Sequence, residues 1–185
     1  MKLVILDRDG VINHDSANFI KSPAEWVPIP GSLEAIALLT QYDFHVVVAT
    51  NQSGVSRGLF DMATLNNIHD KMHREVALAG GRIDAVFYCP HSAEENCSCR
   101  KPKTGMIKEI GKRFSVELNE VAAVGDALRD LQAFASAGCQ PILVKTGKGN
   151  ETLAASLQTE KTLPANTWIC EDLNEAAQRI IMEFM

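Results

Sequence analysis

The sequence predicts an α/β fold in which a parallel sheet is covered by helices on both faces. Short apolar runs of strand length alternate with longer stretches of helical periodicity along the whole chain, and this alternation is typical of a parallel sheet. The strand-like runs carry few polar residues, which indicates strands buried on both faces. No repeat, low-complexity tract or linker interrupts the 185 residues. We therefore expect one domain spanning residues 1–185.

Six strands and six helices are predicted in alternation, which gives a Rossmann-like three-layer arrangement. The strands are expected at Lys2–Leu6, Phe44–Ala49, Ala85–Tyr88, Val121–Val124, Pro141–Val144 and Thr167–Cys170. The helices are expected at Ser32–Gln41, Met62–Leu78, Gly105–Phe114, Asp130–Ala137, Glu151–Leu157 and Asp172–Glu183. Asp61 and Asp172 stand where N-caps are needed, and Gly138 stands where a helix would stop.

The composition argues against several classes of partner. The formal net charge is −5 at pH 7, which disfavours a general nucleic-acid or anionic-membrane binder. No apolar run reaches the roughly 18–20 residues of a membrane span, and the apolar run at the N-terminus is too short for a signal peptide. Five cysteines, three of them crowded together, fit reduced thiols or a metal better than a disulfide framework. We expect a cytoplasmic protein, monomeric because no helix presents an obvious interface.

Polar side chains follow four of the predicted strands at the points where those strands end. Ligands of parallel sheets bind in the crevice beyond the carboxyl ends of the strands, so these side chains are expected to share one edge of the sheet. They are Asp7 and Asp9 after the first strand, Thr50, Asn51, Gln52 and Ser53 after the second, Arg100 and Lys101 after the third, and Asp126 after the fourth.

The residue types at this edge suit phosphoryl transfer. The two carboxylates after the first strand can hold a divalent cation and divide the roles of nucleophile and acid/base. The Thr50 hydroxyl and the backbone N–H groups after it can cradle phosphate oxygens, and Lys101 can neutralise charge on the phosphoryl group. Asp126, with Asp130 four residues on, can complete a Mg²⁺ site. Each residue also has a structural interpretation, as a turn or capping aspartate, a helix cap, a surface lysine or an exposed helical acid.

A short polar loop carries three cysteines and a histidine, in the order Cys89-x-His91 and Cys97-x-Cys99. This set suits tetrahedral Zn²⁺, and a site with four protein ligands is closed and structural. Thiol redox chemistry fits less well, since the pair is C-x-C and a histidine accompanies it. Free buried thiols are the remaining alternative. A zinc ion here would order the loop that leads into the basic pair Arg100-Lys101.

Other residues that carry reactive groups are expected to be structural. Cys139 and Cys170 lie in apolar surroundings and are expected in the core. His69 and His73 are four apart on a predicted helix, a spacing that can bind metal. Because charged residues surround them in sequence, we expect a solvated helix face instead.

Four motifs resemble those of the haloacid-dehalogenase-like phosphatases, and they occur in the order of that family. They are LDRDGVIN (Leu6–Asn13), VVATNQSGVSRG (Val47–Gly58), CRKPKTGM (Cys99–Met106) and VGDALRD (Val124–Asp130). Within the family, the cysteine–histidine loop is similar to that of the heptose bisphosphate phosphatases and of the related histidinol phosphate phosphatases. The heptose bisphosphate phosphatases are the closer resemblance.

The resemblance implies a role for each matching residue. Asp7 would attack phosphorus and form an aspartyl-phosphate, and Asp9 would protonate the leaving alkoxide and then activate water. Mg²⁺ would be held by the carboxylates of Asp7 and Asp126 and by the main-chain carbonyl of Asp9. Thr50 and Lys101 would hold the phosphoryl group. The implied substrate contacts are Asp15, Asn18, Asn51, Gln52, Ser53 and Arg100.

The implied reaction removes the 7-phosphate from D-glycero-D-manno-heptose 1,7-bisphosphate, a small phosphorylated sugar of nucleotide-heptose and lipopolysaccharide precursor synthesis. Two alternatives stay open at this point. One is hydrolysis of histidinol phosphate, and the other is a zinc-stabilised module that binds phosphorylated ligands without catalysis. The complete set of catalytic residue types argues against the second, because a binding module needs no nucleophile. The preferred anomer is not indicated.

The spacing of the motifs leaves no room for a large cap domain. We therefore expect an open site whose specificity comes from loops around Asp15–Asn18, Gln52–Arg57 and Ala93–Arg100. Three features depart from the pattern of the enzymes that the sequence resembles. Ala127 stands where many of them carry lysine or serine, an aromatic residue is missing at Asn18, and the stretch before the second cysteine pair is shorter.

Overall fold

The computed structural model describes residues 1–185 and contains a single six-stranded parallel sheet. The strands lie in the order β3-β2-β1-β4-β5-β6, so the order reverses direction between β1 and β4. This reversal opens a crevice at the carboxyl ends of those two strands. The strand bounds are β1 Leu3–Leu6, β2 His45–Asn51, β3 Ala85–Cys89, β4 Ala122–Gly125, β5 Gln140–Val144 and β6 Trp168–Cys170.

Six helices alternate with the strands as predicted, five of them connecting successive strands and the sixth following β6. Their bounds are α1 Ser32–Gln41, α2 Met62–Leu78, α3 Gly105–Phe114, α4 Leu128–Ala137, α5 Gly149–Gln158 and α6 Leu173–Phe184. The two predicted aspartate caps are confirmed: Asp61 accepts from Thr64 N at 2.8 Å and Asp172 accepts from Glu175 N at 2.9 Å. Gly138 ends α4 in the left-handed conformation, with φ 101°. The helices α4 and α5 each begin two residues before the predicted start.

The core has two parts, one on each face of the sheet. Along β1, Val4 and Leu6 belong to a buried cluster with residues of α1, α2 and α6, while Leu3 and Ile5 belong to a second cluster with residues of α3 and α4. Adjacent strand residues point to opposite faces, so one short strand contributes to both clusters. The central strands are therefore buried on both sides, as predicted.

The prediction of full burial is wrong for the two edge strands. Tyr88 in β3 and Ile169 in β6 are exposed, and most of the remaining side chains of these strands are only partly buried. Each edge strand has a neighbour on one side only, and helices cover it incompletely. An apolar run alone does not distinguish a central strand from an edge strand.

No cap domain is inserted between the elements, as expected. The long connection from β1 to α1 folds back on itself through isolated bridges from Asn13 to Asp9 and to Pro28, with a 3₁₀ turn at Pro23–Glu25. This connection lies at the carboxyl edge of the sheet, beside the crevice. None of the helices combines the length and the apolar character that crossing a membrane requires.

Candidate active site

Three carboxylates converge in the crevice between β1 and β4. Asp7 follows β1 directly, Asp126 follows β4, and Asp130 lies in the first turn of α4. One oxygen of each lies within 4.8 Å of the others, and all three side chains are buried. Three buried carboxylates at this distance repel one another strongly unless cations or protons offset their charge. The crevice is therefore built to hold positive charge.

Lys101 supplies the first positive charge. Its Nζ lies 3.0 Å from Asp7 Oδ1 and 2.9 Å from Asp130 Oδ1, and it donates to the carbonyl of Ala49 at 2.8 Å. Burial alone would lower the pKa of Lys101, but the charges of Asp130 and Asp7 outweigh it and raise that pKa. The interpretation of Lys101 as a surface lysine is wrong, since only 1% of its side chain is exposed.

Asp130 anchors this lysine. The interpretation of Asp130 as an exposed helical acid is therefore wrong as well. Asp130 is fully buried, and its Oδ2 accepts from the backbone N–H groups of Asp126 and Ala127 at 3.3 and 3.1 Å. Burial raises its pKa, but Lys101 and these donors outweigh burial and hold the pKa of Asp130 below its usual range. Asp130 is therefore ionised and paired within the protein, where it holds Lys101 and the turn after β4.

The other two carboxylates are not satisfied in this way. Burial and the nearby Asp130 charge raise the pKa of Asp7 to about 7 and that of Asp126 to about 8. Asp7 accepts through Oδ1 from Arg8 N, and no protein donor reaches its Oδ2. No backbone N–H donates to the carbonyl of Asp9 either. Mg²⁺ prefers oxygen ligands, so the crowded, buried carboxylates of Asp7 and Asp126 and the unpartnered carbonyl of Asp9 suit that ion.

Two close approaches allow the loops to meet at Asp126. Gly10 has φ +83°, and a Cβ there would lie 2.0 Å from Asp126 Oδ2. Gly147, which follows β5, has φ +56°, and a Cβ there would lie 2.3 Å from the same oxygen. Lys148 N, the next backbone donor, hydrogen-bonds Asp126 Oδ2 at 2.8 Å. Only glycine fits these two positions.

Asp9 is held by donors on both of its oxygens. Arg8 Nε and Asn13 Nδ2 reach Oδ1 at 2.9 Å each, while Gln52 Nε2 and Arg8 Nη2 reach Oδ2 at 3.2 and 3.3 Å. Burial would raise the pKa of Asp9, but the charge of Arg8 and these hydrogen bonds outweigh it and lower that pKa. The two aspartates of the first motif therefore differ in protonation behaviour, which suits a division of roles.

A second pair behind Asp9 was not predicted. Arg8 is fully buried, and its Nη1 lies 3.1 Å from Nε2 of His69 on α2. The expectation that His69 lies on a solvated helix face is wrong, because its side chain is buried and adjoins the ring of Tyr88. Nothing in the local sequence indicates this pairing, since the two residues are 61 positions apart.

The residues at the end of β2 and directly after it lie beside the buried carboxylates and Lys101. The buried Thr50 accepts from Gln52 Nε2 at 2.8 Å. Asn51 exchanges two hydrogen bonds with the backbone of Lys101, at 3.0 and 3.1 Å. Ser53 is buried in the following turn, where its carbonyl accepts from Arg57 N. The side chains of Asn51 and Gln52 therefore position Lys101 and Asp9.

A small polar cleft of about 40 Å³ marks the centre of the site. No hydrophobic residue lines it, and such a lining suits a charged group rather than an apolar one. Asp15 lies in this cleft and pairs with Lys148 at 3.3 Å, whereas Asn18 lies in a neighbouring groove that also includes Asp15. The lining residues are Asp7, Asp9, Asp15, Thr50, Asn51, Lys101, Asp126, Arg129, Asp130 and Lys148.

The cysteine–histidine cluster forms as predicted. The three sulfurs lie 3.0–3.5 Å apart, and His91 Nδ1 lies 3.5 Å from Cys89 Sγ and 3.4 Å from Cys99 Sγ. Tetrahedral Zn²⁺ with Zn–S bonds of about 2.3 Å would place its sulfurs roughly 3.7 Å apart, so the donor set fits that ion. All five cysteines are free thiols, and Cys139 and Cys170 lie in the core as expected.

Hydrogen bonds join the cluster to the loops around it. Arg100 N donates to Cys97 Sγ at 3.4 Å, and the Arg100 side chain reaches the carbonyl of His91. Ser56, in the loop after β2, donates to Glu95 at 2.6 Å. Arg100 is partly buried beside the cluster and does not line the central cleft. The cluster therefore fixes the segment that carries Lys101 into the crevice.

Comparisons with known proteins agree with this geometry. A family model described as HAD-hydrolase-like matches residues 98–176. The chain is 58% identical over 183 residues to the D-glycero-beta-D-manno-heptose-1,7-bisphosphate 7-phosphatase of Bordetella bronchiseptica, with 99% of both chains covered. It is 48% identical over 179 residues to the enzyme of that name from Pseudomonas aeruginosa, with 97% of both covered.

Solved structures show the same similarity. The D,D-heptose 1,7-bisphosphate phosphatase of B. bronchiseptica, crystallised with magnesium and phosphate, superimposes with a TM-score of 0.94 at 59% identity, covering 99% of both chains. The corresponding enzyme of Burkholderia thailandensis gives a TM-score of 0.78 at 50% identity, covering 99% of this chain and 100% of that one. The similarity therefore extends over the whole chain and its four motifs.

Proposed function

Because the chain belongs to the haloacid-dehalogenase-like phosphatases, and among them to the heptose 1,7-bisphosphate 7-phosphatases, we propose the reaction and residue roles that follow. The protein is a phosphatase that removes the 7-phosphate of D-glycero-D-manno-heptose 1,7-bisphosphate. The β anomer is the substrate, since the relatives at 48–58% identity carry that anomer in their names. The observation that carries the proposal is the crevice in which Lys101 lies between Asp7 and Asp130.

Asp7 is the nucleophile. Its Oδ1 is held by Lys101 and by Arg8 N, while its Oδ2 has no protein donor, so one oxygen stays fixed as the other approaches phosphorus. Attack forms an aspartyl-phosphate on Asp7 and breaks the bond between phosphorus and the sugar oxygen. Lys101 and the Thr50 hydroxyl hold the phosphoryl oxygens, and the charge of Lys101 offsets the negative charge that develops there.

Asp9 is the general acid and then the general base. In its protonated form it gives its proton to the oxygen of the leaving sugar, and the resulting carboxylate then takes a proton from the water that attacks the aspartyl-phosphate, which restores the protonated form. The phosphate anion bound beside Asp9 favours protonation of this carboxyl before the first step. Arg8, Asn13 and Gln52 fix the position of this carboxylate. These interactions favour its ionised form, which is the form that the second step requires.

Mg²⁺ is the cofactor, as in the crystallised B. bronchiseptica relative. The carboxylates of Asp7 and Asp126 and the carbonyl of Asp9 would hold it, and the bound ion supplies charge that lets an anionic nucleophile approach an anionic phosphate. Zn²⁺ is the second metal, with Cys89, His91, Cys97 and Cys99 as ligands. Its role is structural, because the four protein ligands leave no open position.

The substrate contacts are proposed around this centre. Asp15 lines the central cleft, and Asn18 lies in the adjoining groove. Arg100 lies in a separate groove beside the loop that carries the four zinc ligands. Asn51, Gln52 and Ser53 contribute chiefly by positioning the phosphate end of the site. The protein acts as a monomer, without nucleic-acid or membrane partners, and its free thiols fit the reducing cytoplasm.

The test is Mg²⁺-dependent phosphate release from both anomers of heptose 1,7-bisphosphate and from histidinol phosphate, compared by kcat/KM. We expect the β anomer to be preferred. A preference for the α anomer would change the anomer assignment alone, whereas a preference for histidinol phosphate would overturn the substrate. No observation in the structure favours histidinol phosphate, and the Asp7→Asn variant serves as the inactive control for every substrate.

A further inference from the structure

Arg8 is a buried cation, and each nitrogen of its guanidinium needs a hydrogen-bond acceptor. Its side chain is fully buried, and it contacts both oxygens of the adjacent Asp9 carboxylate through Nε and Nη2. A two-point contact of this kind fixes the plane of the carboxylate as well as its distance. The third terminus of the guanidinium, Nη1, points away from Asp9 and needs an acceptor of its own, because an unsatisfied buried donor is costly.

His69 is that acceptor. Its Nε2 lies 3.1 Å from Arg8 Nη1. A guanidinium can only donate, so Nε2 must carry the lone pair, and the proton of the ring resides on Nδ1. Burial and the neighbouring Arg8 charge lower the pKa of His69 to about 3, so the ring stays neutral and able to accept.

We propose that His69 is a positioning residue: by accepting from Arg8 it holds the guanidinium, and through it the Asp9 carboxylate, in the orientation that acid/base catalysis requires. The inference rests on the role proposed for Asp9. His69 does not line the cleft, and Arg8 and Asp9 link it to that site.

The alternative is that His69 only fills space between α2 and the sheet. The two roles make different predictions. If His69 is a positioning residue, the hydrogen-bond acceptor at position 69 should matter more than the side-chain volume there. Loss of that acceptor should slow the departure of a leaving group that must be protonated more than the departure of one that need not be. Asn13 and Gln52 each contact only one oxygen of Asp9, so neither can replace the two-point contact of Arg8.

The experiment compares His69→Leu, which keeps the volume and removes the acceptor, with His69→Gln, whose amide oxygen can reach Arg8. Enzyme in excess over substrate is mixed with Mg²⁺ and either heptose bisphosphate or p-nitrophenyl phosphate, and the first-turnover release of the alcohol is followed. A sugar alkoxide must be protonated as it leaves, whereas p-nitrophenolate leaves without a proton. If the wild type does not hydrolyse the heptose bisphosphate, another alkyl phosphate that it hydrolyses takes its place.

We expect His69→Leu to slow release of the sugar by about 10-fold to 100-fold, part of the usual contribution of a general acid. The same variant should slow p-nitrophenolate release by less than about threefold, and His69→Gln should stay within about threefold of wild type on both substrates. Thermal melting checks that each variant is folded. Should His69→Leu not fold, His69→Asn, whose shorter amide withdraws the acceptor, replaces it.

Three results would overturn the inference: full activity of the leucine variant on the sugar, equal slowing of both substrates, or equal losses in the leucine and glutamine variants. Asp9→Asn is the reference for the proposed function. If that variant also released the sugar at the wild-type rate, the role assigned to Asp9 would be wrong, and the failure would lie there. If Asp9→Asn slowed release of the sugar specifically and His69→Leu did not, the role of Asp9 would stand and only the inference about His69 would be wrong.

Discussion

At the scale of single residues, the site depends on how one buried lysine divides three carboxylates. Lys101 pairs with Asp7 and Asp130 and leaves Asp126 without a cation from the protein. Asp130 is ionised and anchored, whereas Asp7 and Asp126 have raised pKa values. The same residue type therefore performs different tasks at positions a few ångströms apart, because each position offers different donors.

Removal of the lysine charge is expected to impair both activity and stability. In Lys101→Met, the three carboxylates lose the only cation that forms ion pairs with them, and we expect a loss of about 3–5 kcal/mol in the free energy of unfolding. The value of kcat should fall by about 100-fold to 1,000-fold, as when an electrostatic stabiliser of the transition state is removed.

Urea denaturation and steady-state kinetics measure these two effects. The matched control is Lys112→Met, an exposed lysine at the end of α3, which should leave both quantities unchanged. Wild-type kcat in Lys101→Met would show that the lysine acts in folding alone.

Gly147 gives a second prediction at this scale. In Gly147→Ala, the new methyl group would lie 2.3 Å from Asp126 Oδ2 in a backbone conformation with φ +56° that alanine disfavours. We expect the loop to move away and the Mg²⁺ concentration for half-maximal activity to rise at least about tenfold, since ligand position governs affinity for this ion.

A Mg²⁺ titration of activity measures the change. Gly138→Ala, at another glycine with positive φ but with no atom near its Cβ position, is the control for backbone strain alone. An equal rise in both variants would contradict the role given to the close approach at Asp126.

The local sequence predicts some of these residues and not others. Asp7, Asp9 and Asp126 are predictable because each directly follows an apolar run, and the carboxyl ends of parallel strands share one edge. The burial of Lys101, Asp130 and His69 is not predictable, because the side chains that they pair with lie 29 to 94 positions away. Charged residues also usually prefer the surface. Pairing across such distances depends on strand order, which apolar periodicity does not give.

At the scale of elements, two segments determine where Lys101 and Asp9 lie. The zinc loop leads from β3 to Lys101, and Asn51 at the end of β2 clamps the backbone of that lysine. Helix α2 contributes His69 behind Asp9 and also Lys71, whose Nζ donates to the carbonyls of Pro23 and Trp26 at 2.8 Å. One helix therefore contacts both Arg8, which holds Asp9, and the long connection that borders the cleft.

Loss of zinc is expected to act on the position of Lys101. Cys97→Ser should reduce the bound zinc, loosen the loop and lower kcat/KM. The fold of the sheet should be preserved, because none of the four ligands belongs to either core cluster and only Cys99 packs against one. A loss of about 10-fold to 100-fold is typical when metal-site support is removed.

Zinc content by atomic emission, circular dichroism and kinetics test this prediction together. Cys139→Ala, which removes a core thiol that is no ligand, is the control and should retain zinc. Zinc-free protein with wild-type kcat/KM would contradict the positioning role.

At the scale of the whole molecule, the sheet brings the site together from segments far apart in the chain. The end of β2 and the segments that follow β1, β3, β4 and β5 all contribute residues to one cleft of about 40 Å³. The alternation of strands and helices was sufficient to predict this fold and the edge where the site lies. It did not predict which strands are at the edges, so the prediction of full burial failed at β3 and β6.

The crowded carboxylates make the stability of the magnesium-free protein depend on pH. The pKa values of Asp7 and Asp126 rise to about 7 and about 8 in the folded state, against about 3.9 in an unfolded chain. A carboxyl with a raised pKa stabilises the fold while it is protonated, and that contribution is lost as the pH rises through the folded pKa. We therefore expect Tm in magnesium-free buffer to fall between about pH 6 and pH 8.5.

Added Mg²⁺ should raise Tm more at the higher pH, because the cation replaces the protons that the folded carboxyls would otherwise hold. Calorimetry at both pH values, without a chelator so that zinc stays bound, measures this difference. Asp126→Asn should reduce both the pH dependence and the Mg²⁺ response. A Tm that is unchanged or higher at pH 8.5 in the wild type would contradict the expectation.

The absence of a cap domain bears on which step limits the rate of turnover. In many enzymes a lid must open before products leave, and that movement sets kcat. Here no cap domain covers the cleft, so sugar and phosphate can depart without the movement of a domain. The slow step of the cycle should then be a chemical one, in which a bond to phosphorus is made or broken.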